Sequence, residues 1–171
     1  REAKYEITVK ANSATATYDG KEHEAVGVET YEFTVEGNSY TVSGLSTEDP
    51  KQKDAGSYTN NITGTPVVTD KEGNVVTSEF EVKTENGSLE IGKAAVTLKS
   101  ATLSKKYDGN ALVNGDTALE IESGFAEGEG ATYNFTGSQT VVGSSANAFS
   151  YELNSNTNID NYEISKQEGT L

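Results

Sequence analysis

The sequence predicts an all-β chain of short antiparallel strands, folded as two small domains in tandem, and three observations carry that expectation. Apolar residues recur at every second position, as they do when a strand turns one face to a core and the other to water. Gly, Asn, Asp and Ser collect between those stretches, where a positive φ or a side-chain bond to the backbone closes a turn. The pattern then returns: an ordered set of blocks in the first half of the 171 residues recurs in the second. No stretch of twelve residues places apolar side chains at i, i+3, i+4 and i+7, so no amphipathic helix is expected.

Taken in order, the first strand is Tyr5-Glu6-Ile7-Thr8-Val9-Lys10, with Tyr5, Ile7 and Val9 on one face. Tyr31-Glu32-Phe33-Thr34-Val35-Glu36 repeats the alternation, as does Phe80-Glu81-Val82-Lys83. Between them, Val67-Val68-Thr69 and Val75-Val76-Thr77 flank Asp70-Lys71-Glu72-Gly73-Asn74 and read as a hairpin. In the second half come Val96-Thr97-Leu98-Lys99, Leu119-Glu120-Ile121-Glu122 and Tyr133-Asn134-Phe135-Thr136. Phe149-Ser150-Tyr151-Glu152-Leu153 and Tyr162-Glu163-Ile164-Ser165 close the series. Such regular alternation weighs against disorder, despite 33 % hydrophobic residues and an acidic balance.

The repeat sets the domain boundaries. Ile7-Thr8-Val9-Lys10 followed by Tyr18-Asp19-Gly20 returns, at an offset of 89, as Val96-Thr97-Leu98-Lys99 followed by Tyr107-Asp108-Gly109. In the same order, Tyr40–Gly44 answers to Tyr133–Gly137, Asp54-Ala55-Gly56 to Val141-Val142-Gly143, and Phe80-Glu81-Val82 to Tyr162-Glu163-Ile164. Gly87-Ser88-Leu89 finally answers to Gly169-Thr170-Leu171. We therefore expect modules over 1–92 and 93–171, joined by the short Gly92-Lys93-Ala94, with the hairpin near 67–77 as a surface addition to the first. Copy one continues past Leu89 with Glu90-Ile91, so copy two is expected to stop inside or just after its last strand.

Composition narrows the function. No Cys means no disulfide, thiolate nucleophile or Cys-based metal site, and the single His23 makes no multi-histidine centre. A net charge of -14 disfavours nucleic acid and anionic membranes, which need Lys and Arg. No apolar run approaches the roughly 20 residues of a membrane-spanning helix. The first copy carries 17 acidic and 8 basic residues and the second 10 and 5, so the charge belongs to both and marks no local acidic site. The absence of Met and the start at Arg1 are expected of an interior slice of a longer protein.

No catalytic, metal or cofactor motif emerges. Tyr-Asp-Gly is the most distinctive signature, and its expected role is structural: Tyr18 and Tyr107 pack into a core while Asp19-Gly20 and Asp108-Gly109 turn the chain, each Gly at positive φ. Asp54-Ala55-Gly56-Ser57-Tyr58 has the Asp-x-Gly-x-Tyr form of the tyrosine corner of immunoglobulin-like sandwiches. Asp70-Lys71-Glu72-Gly73-Asn74 falls short of a calcium loop and reads as a turn. Lys10 and Lys99 close matched strands and raise the question of an intramolecular isopeptide bond to Asn or Asp.

Ala14-Thr15-Ala16-Thr17-Tyr18-Asp19-Gly20 and Lys105-Lys106-Tyr107-Asp108-Gly109, with Asp-Ala-Gly-Ser-Tyr and the closing Gly-Ser/Thr-Leu, resemble the tandem YDG-type (MBG-type) repeats of large bacterial surface proteins and adhesins, notably of Gram-positive gut bacteria. Phe125–Tyr133 with Gly137-Ser138-Gln139-Thr140 is close to the same repeat. The resemblance implies extracellular, wall-attached stalk or adhesive modules without enzymatic activity or cofactor, and it carries over no ligand residues. Expected partners are neighbouring repeats and a host glycan or glycoprotein, with the fragment itself a monomer. An immunoglobulin-like sandwich is the favoured fold and a β-grasp-like sheet the alternative. If sugar is bound, exposed aromatics such as Tyr31, Tyr40 or Tyr133 would stack on it.

Overall fold

A computed structural model describes residues 5–171. The chain is all-β: among the described residues the only helical segments are two three-residue 3₁₀ turns, Thr77–Glu79 and Ile159–Asn161. It divides into two compact units. The first holds the chain up to Ala16 and Lys21–Ile91, and the second holds Gly92–Leu171 together with the four residues Thr17–Gly20.

In the first unit β1 (Tyr5–Lys10), β2 (Ala14–Thr17), β3 (His23–Glu24), β4 (Glu32–Val35) and β5 (Asn38–Thr47) are followed by β6 (Lys51–Gln52), β7 (Gly56–Asn60), β8 (Ile62–Asp70), β9 (Phe80–Glu85) and β10 (Gly87–Gly92). β4 and β5 form a hairpin closed by Glu36-Gly37, both at positive φ (49° and 81°), the two-residue geometry that matches strand twist. β8 completes a sheet of order β4-β5-β8, bent where the register shifts between Ser43 and Leu45. There Gly44 and Gly64 cross so closely that a Cβ on either would lie 2.2 Å from a carbonyl oxygen of the facing strand. Ile7, Val9, Val42, Ile62, Val68 and Phe80 form the core, with Tyr31, Phe33 and Tyr40 packed against it.

The second unit contains β11 (Ala94–Lys99), β12 (Leu112–Val113), β13 (Ile121–Ser123), β14 (Ala131–Phe135), β15 (Ser138–Gln139), β16 (Phe149–Leu153) and β17 (Tyr162–Gln167). Val96 and Leu98 of β11 are buried with Ala126, Phe149, Tyr162 and Leu171. Elements correspond across the copies: β14·β16 matches β5·β8, β12·β15 matches β3·β6, and a 3₁₀ turn precedes both β9 and β17.

Two expectations are corrected. Pairing is not wholly antiparallel: β1 runs parallel to β9 from Tyr5↔Phe80 to Lys10↔Glu85, and β11 parallel to β17 from Ala94↔Tyr162 to Lys99↔Gln167. Alternation specifies which face of a strand is buried but not its direction, and no tight turn joins these distant strands to force antiparallel pairing. The stretch 67–77 is not a surface addition, because its first arm is the end of β8 and Val68 is fully buried in the core. Its second arm runs beside β8 through the bridge Thr69↔Val75 and the bond from Val76 N to Val68 O at 2.8 Å, around a turn in which Asp70 Oδ1 accepts from the amides of Glu72 and Asn74. The Nζ groups of Lys10 and Lys99, the residues that raised the question of an isopeptide bond, face Glu85 and Glu120 at 3.6 and 3.1 Å.

Candidate functional site

The two Tyr-Asp-Gly motifs share a backbone and differ in surroundings. Gly20 and Gly109 stand at φ 79° and 81°, so each motif turns through a conformation that favours glycine. Asp108 Oδ1 accepts from the Asn110 amide at 2.9 Å, and its carboxylate meets Lys105 Nζ at 3.0 Å. That amide first, and then Lys105, hold the Asp108 carboxyl below its usual range.

Tyr18 is buried, 6 % exposed, in the second unit. Its ring lies edge-on to Tyr162 at 5.3 Å, and its Oη donates to Glu129 Oε2 at 2.5 Å. Tyr162 Oη donates to the other oxygen, Oε1, at 2.7 Å, and accepts from the Ala126 amide at 3.0 Å. One carboxylate thus satisfies two buried phenols. Burial first, and the neighbouring Glu129 carboxylate after it, push the Tyr162 hydroxyl up to about 12. Tyr107, by contrast, is 66 % exposed, which corrects the expectation that both tyrosines pack. Among the described residues no counterpart of the Tyr162–Glu129 socket stands beside it.

The first unit explains the socket's form. At the position matching Tyr162 it has Phe80, at that matching Glu129 it has Glu36, and at that matching Ala94 it has Tyr5. Tyr5 stacks on Phe80 at 5.6 Å and its Oη donates to Glu36 Oε2 at 2.6 Å. The first unit therefore fills the site with its own first strand. The second carries buried Ala94 there, and Tyr18 takes the place of the missing ring.

Sequence reasoning missed two buried asparagines. Asn60 and Asn147 are both fully buried, at matched positions facing Gly87 and Gly169. Asn60 Nδ2 donates to Asn12 O at 3.0 Å, and its Oδ1 accepts from the Asp49 amide at 2.9 Å. Asn147 Nδ2 donates to Ala101 O at 3.0 Å and to Asn114 Oδ1 at 2.9 Å. These side chains tie the chain leaving the first strand to distant loops of the same unit, at Asp49 in the first and Asn114 in the second. The close approach of that same backbone explains the Gly of Gly-Ser/Thr-Leu: a Cβ on Gly87 would lie 2.1 Å from Asn12 O, and one on Gly169 would lie 2.4 Å from Ala101 O. The following amide is capped alike in both copies, Ser88 N donating to Ser13 Oγ and Thr170 N to Thr102 Oγ1. Within the Asp54–Tyr58 run, Tyr58 Oη donates to Asp54 O at 2.8 Å. The copy-two position is Ser145, which has no ring to make this bond.

The tyrosines considered for sugar stacking are largely spent on packing. Tyr40 meets Phe80 edge-on at 4.8 Å, Tyr31 lies against the core, and Tyr133 meets Phe149 at 6.2 Å. No cluster of three or more His, Asp or Glu side chains among the described residues is placed to hold a metal ion. No family model, curated protein or solved structure matches the chain.

Proposed function

We propose that this chain is a pair of non-catalytic modules from the stalk of a large bacterial surface protein, acting as spacer between an outer region and the wall. The single observation that supports this most is how each module would meet a pull along the chain. The opening strand of each unit pairs in parallel, over six residue pairs, with the strand that precedes the module's closing segment. Force applied at the two ends of a module therefore loads all the hydrogen bonds of that ladder together, in shear, where an antiparallel hairpin would unzip one bond at a time. A duplicated module with this property suits a load-bearing rod. The -14 charge keeps such a rod solvated and resists self-association. The immunoglobulin-like arrangement, the kinship with YDG-type repeats, the extracellular location and the monomeric state belong to the same proposal. Partners are then the neighbouring repeats, with no cofactor.

Single-molecule stretching of the chain between two handles tests it. Two cooperative ruptures are expected, each releasing roughly 300 Å for a module of about 80 to 90 residues, at forces well above those of a helical control domain. Rupture at forces no higher than the helical control rejects the load-bearing reading. Specific binding to a glycan or mucin array that Tyr→Ala changes abolish would favour an adhesive role instead.

A further inference from the structure

The second unit leaves open a strand edge that the first unit covers. In the first, β5 lies between β4 and β8. Its Tyr40 pairs with Phe33 of β4, and two residues on Val42 N donates to Tyr31 O at 2.8 Å. Alternate residues of an antiparallel strand bond to opposite neighbours, so Asn38, Tyr40 and Val42 turn their backbone groups toward β4. The matching residues of β14 are Ala131, Tyr133 and Phe135. Here Asn154 N donates to Gly130 O and Thr136 N to Ala148 O, both at 2.9 Å, so the even-numbered residues spend their backbone bonds on the β16 side. The amides and carbonyls of Ala131, Tyr133 and Phe135 therefore face the other way. Among the described residues no strand or bridge lies on that side.

The counterpart of β4 is held elsewhere. At the positions matching Tyr31, Phe33 and Val35 stand Gly124, Ala126 and Gly128. Gly124 runs so close to β11 that a Cβ would lie 2.0 Å from Ala95 O, and the Ala126 amide donates to Tyr162 Oη. Gly128, at φ 81°, lies in a turn closed from Glu129 N to Ala126 O. Edge strands are usually blunted by charge or Pro. β4 begins with Glu32 and is followed by Glu36, whereas β14, Ala131-Thr132-Tyr133-Asn134-Phe135, has neither charge nor Pro. Its surroundings are acidic: Glu152 of β16 stands opposite Thr132, and from Tyr107 to Ser165 there are nine Asp and Glu and no Lys, Arg or His. A second copy of this chain would bring the same charge against itself. We infer that the open edge of β14 is a docking seat for an extended segment of another protein in which apolar residues alternate with Lys or Arg. The segment adds antiparallel to β14 at Ala131, Tyr133 and Phe135, as β4 adds to β5. Its apolar side chains lie where Tyr31, Phe33 and Val35 lie in the first unit, and its cations lie between them on the Glu152 face. This goes beyond the spacer reading and does not depend on it.

The test uses the full chain and the synthetic peptide Lys-Tyr-Lys-Phe-Lys-Val-Lys. Beside it stand the same peptide N-methylated at Tyr, Phe and Val, and a version with Glu for every Lys. Amide hydrogen exchange is read residue by residue. In the free chain the Tyr133 and Phe135 amides should exchange at least about tenfold faster than those of Thr132 and Asn134, and saturating Lys peptide should slow them by about tenfold or more. Ala131→Pro blocks the outer edge without removing a bond to β16. It should abolish the slowing while the melting temperature stays within about 3 °C of the parent. Slow exchange of Tyr133 and Phe135 in the free chain, no slowing with the Lys peptide, or equal slowing with the methylated or Glu peptide overturns the inference. So does protection in the free chain that grows with its concentration, which would assign the edge to a second copy.

Discussion

Replacing Asn60 by Ala probes the link between the chain leaving the first strand, at Asn12, and the loop at Asp49. The side chain donates to Asn12 O and accepts from the Asp49 amide, in a fully buried site closed by Gly87. Its loss leaves a carbonyl and an amide without partners, at roughly 1–3 kcal/mol, and removes packed volume worth about another 1 kcal/mol. A loss of about 2–4 kcal/mol lowers the melting temperature of a module this size by roughly 8–30 °C. The assay is differential scanning calorimetry, which resolves two transitions if the units melt separately; only the first unit's should move. Asn60→Asp sharpens the test, because it sets a carboxylate oxygen against the Asn12 carbonyl. That variant should be less stable than the Ala variant at neutral pH and regain stability as acid protonates the new carboxyl. A change below about 0.5 kcal/mol for Asn60→Ala, or a shift confined to the second transition, refutes the reasoning.

The socket of the second unit makes a reciprocal prediction. Ala94→Tyr brings in the ring that Tyr5 supplies in the first unit, and should cost about 1–3 kcal/mol by competing with Tyr18; combined with Tyr18→Ala, the two changes should fall short of additivity by at least about 1 kcal/mol. Additivity within about 0.5 kcal/mol in urea melts would show that the two rings do not share one site. Tyr162 carries a pH prediction: its hydroxyl is held protonated in the fold to about 12, above the ordinary 10.0. A raised pKa means its contribution is intact below pH 10 and is lost as pH climbs from 10 toward 12. Melting followed from pH 8 to 12 should therefore fall more steeply in the parent than in Tyr162→Phe, and parallel curves would contradict this.

Much of the fold was legible because alternation and turn chemistry are local. Ile7, Val9, Val96 and Leu98 sit on the buried faces that period two assigns them, and the match of Phe80 to Tyr162 holds in space, each beginning the strand parallel to its module's first. Glycine was legible as a turn signal at Gly20 and Gly109. At Gly87 and Gly169 it was legible only as a repeat, because its cause is the approach of a distant carbonyl. Asn60 and Asn147 left no local trace: a lone Asn in a Thr- and Ser-rich chain looks like any other turn residue until its partners, up to 48 residues away, are known. The Tyr5/Ala94 difference was present in the repeat comparison as the one signal that could have revealed the socket.

By itself, then, the sequence determined an all-β chain made of two copies of one module, since strand faces and turns depend on neighbours two to four residues apart. Only the tertiary structure decided that the strands at the heart of each module run parallel, that 67–77 builds core, and that two identical Tyr-Asp-Gly motifs lead one tyrosine into a socket and the other into solvent. Each of those outcomes depends on groups far apart in the chain, and identical local residues meet different distant surfaces.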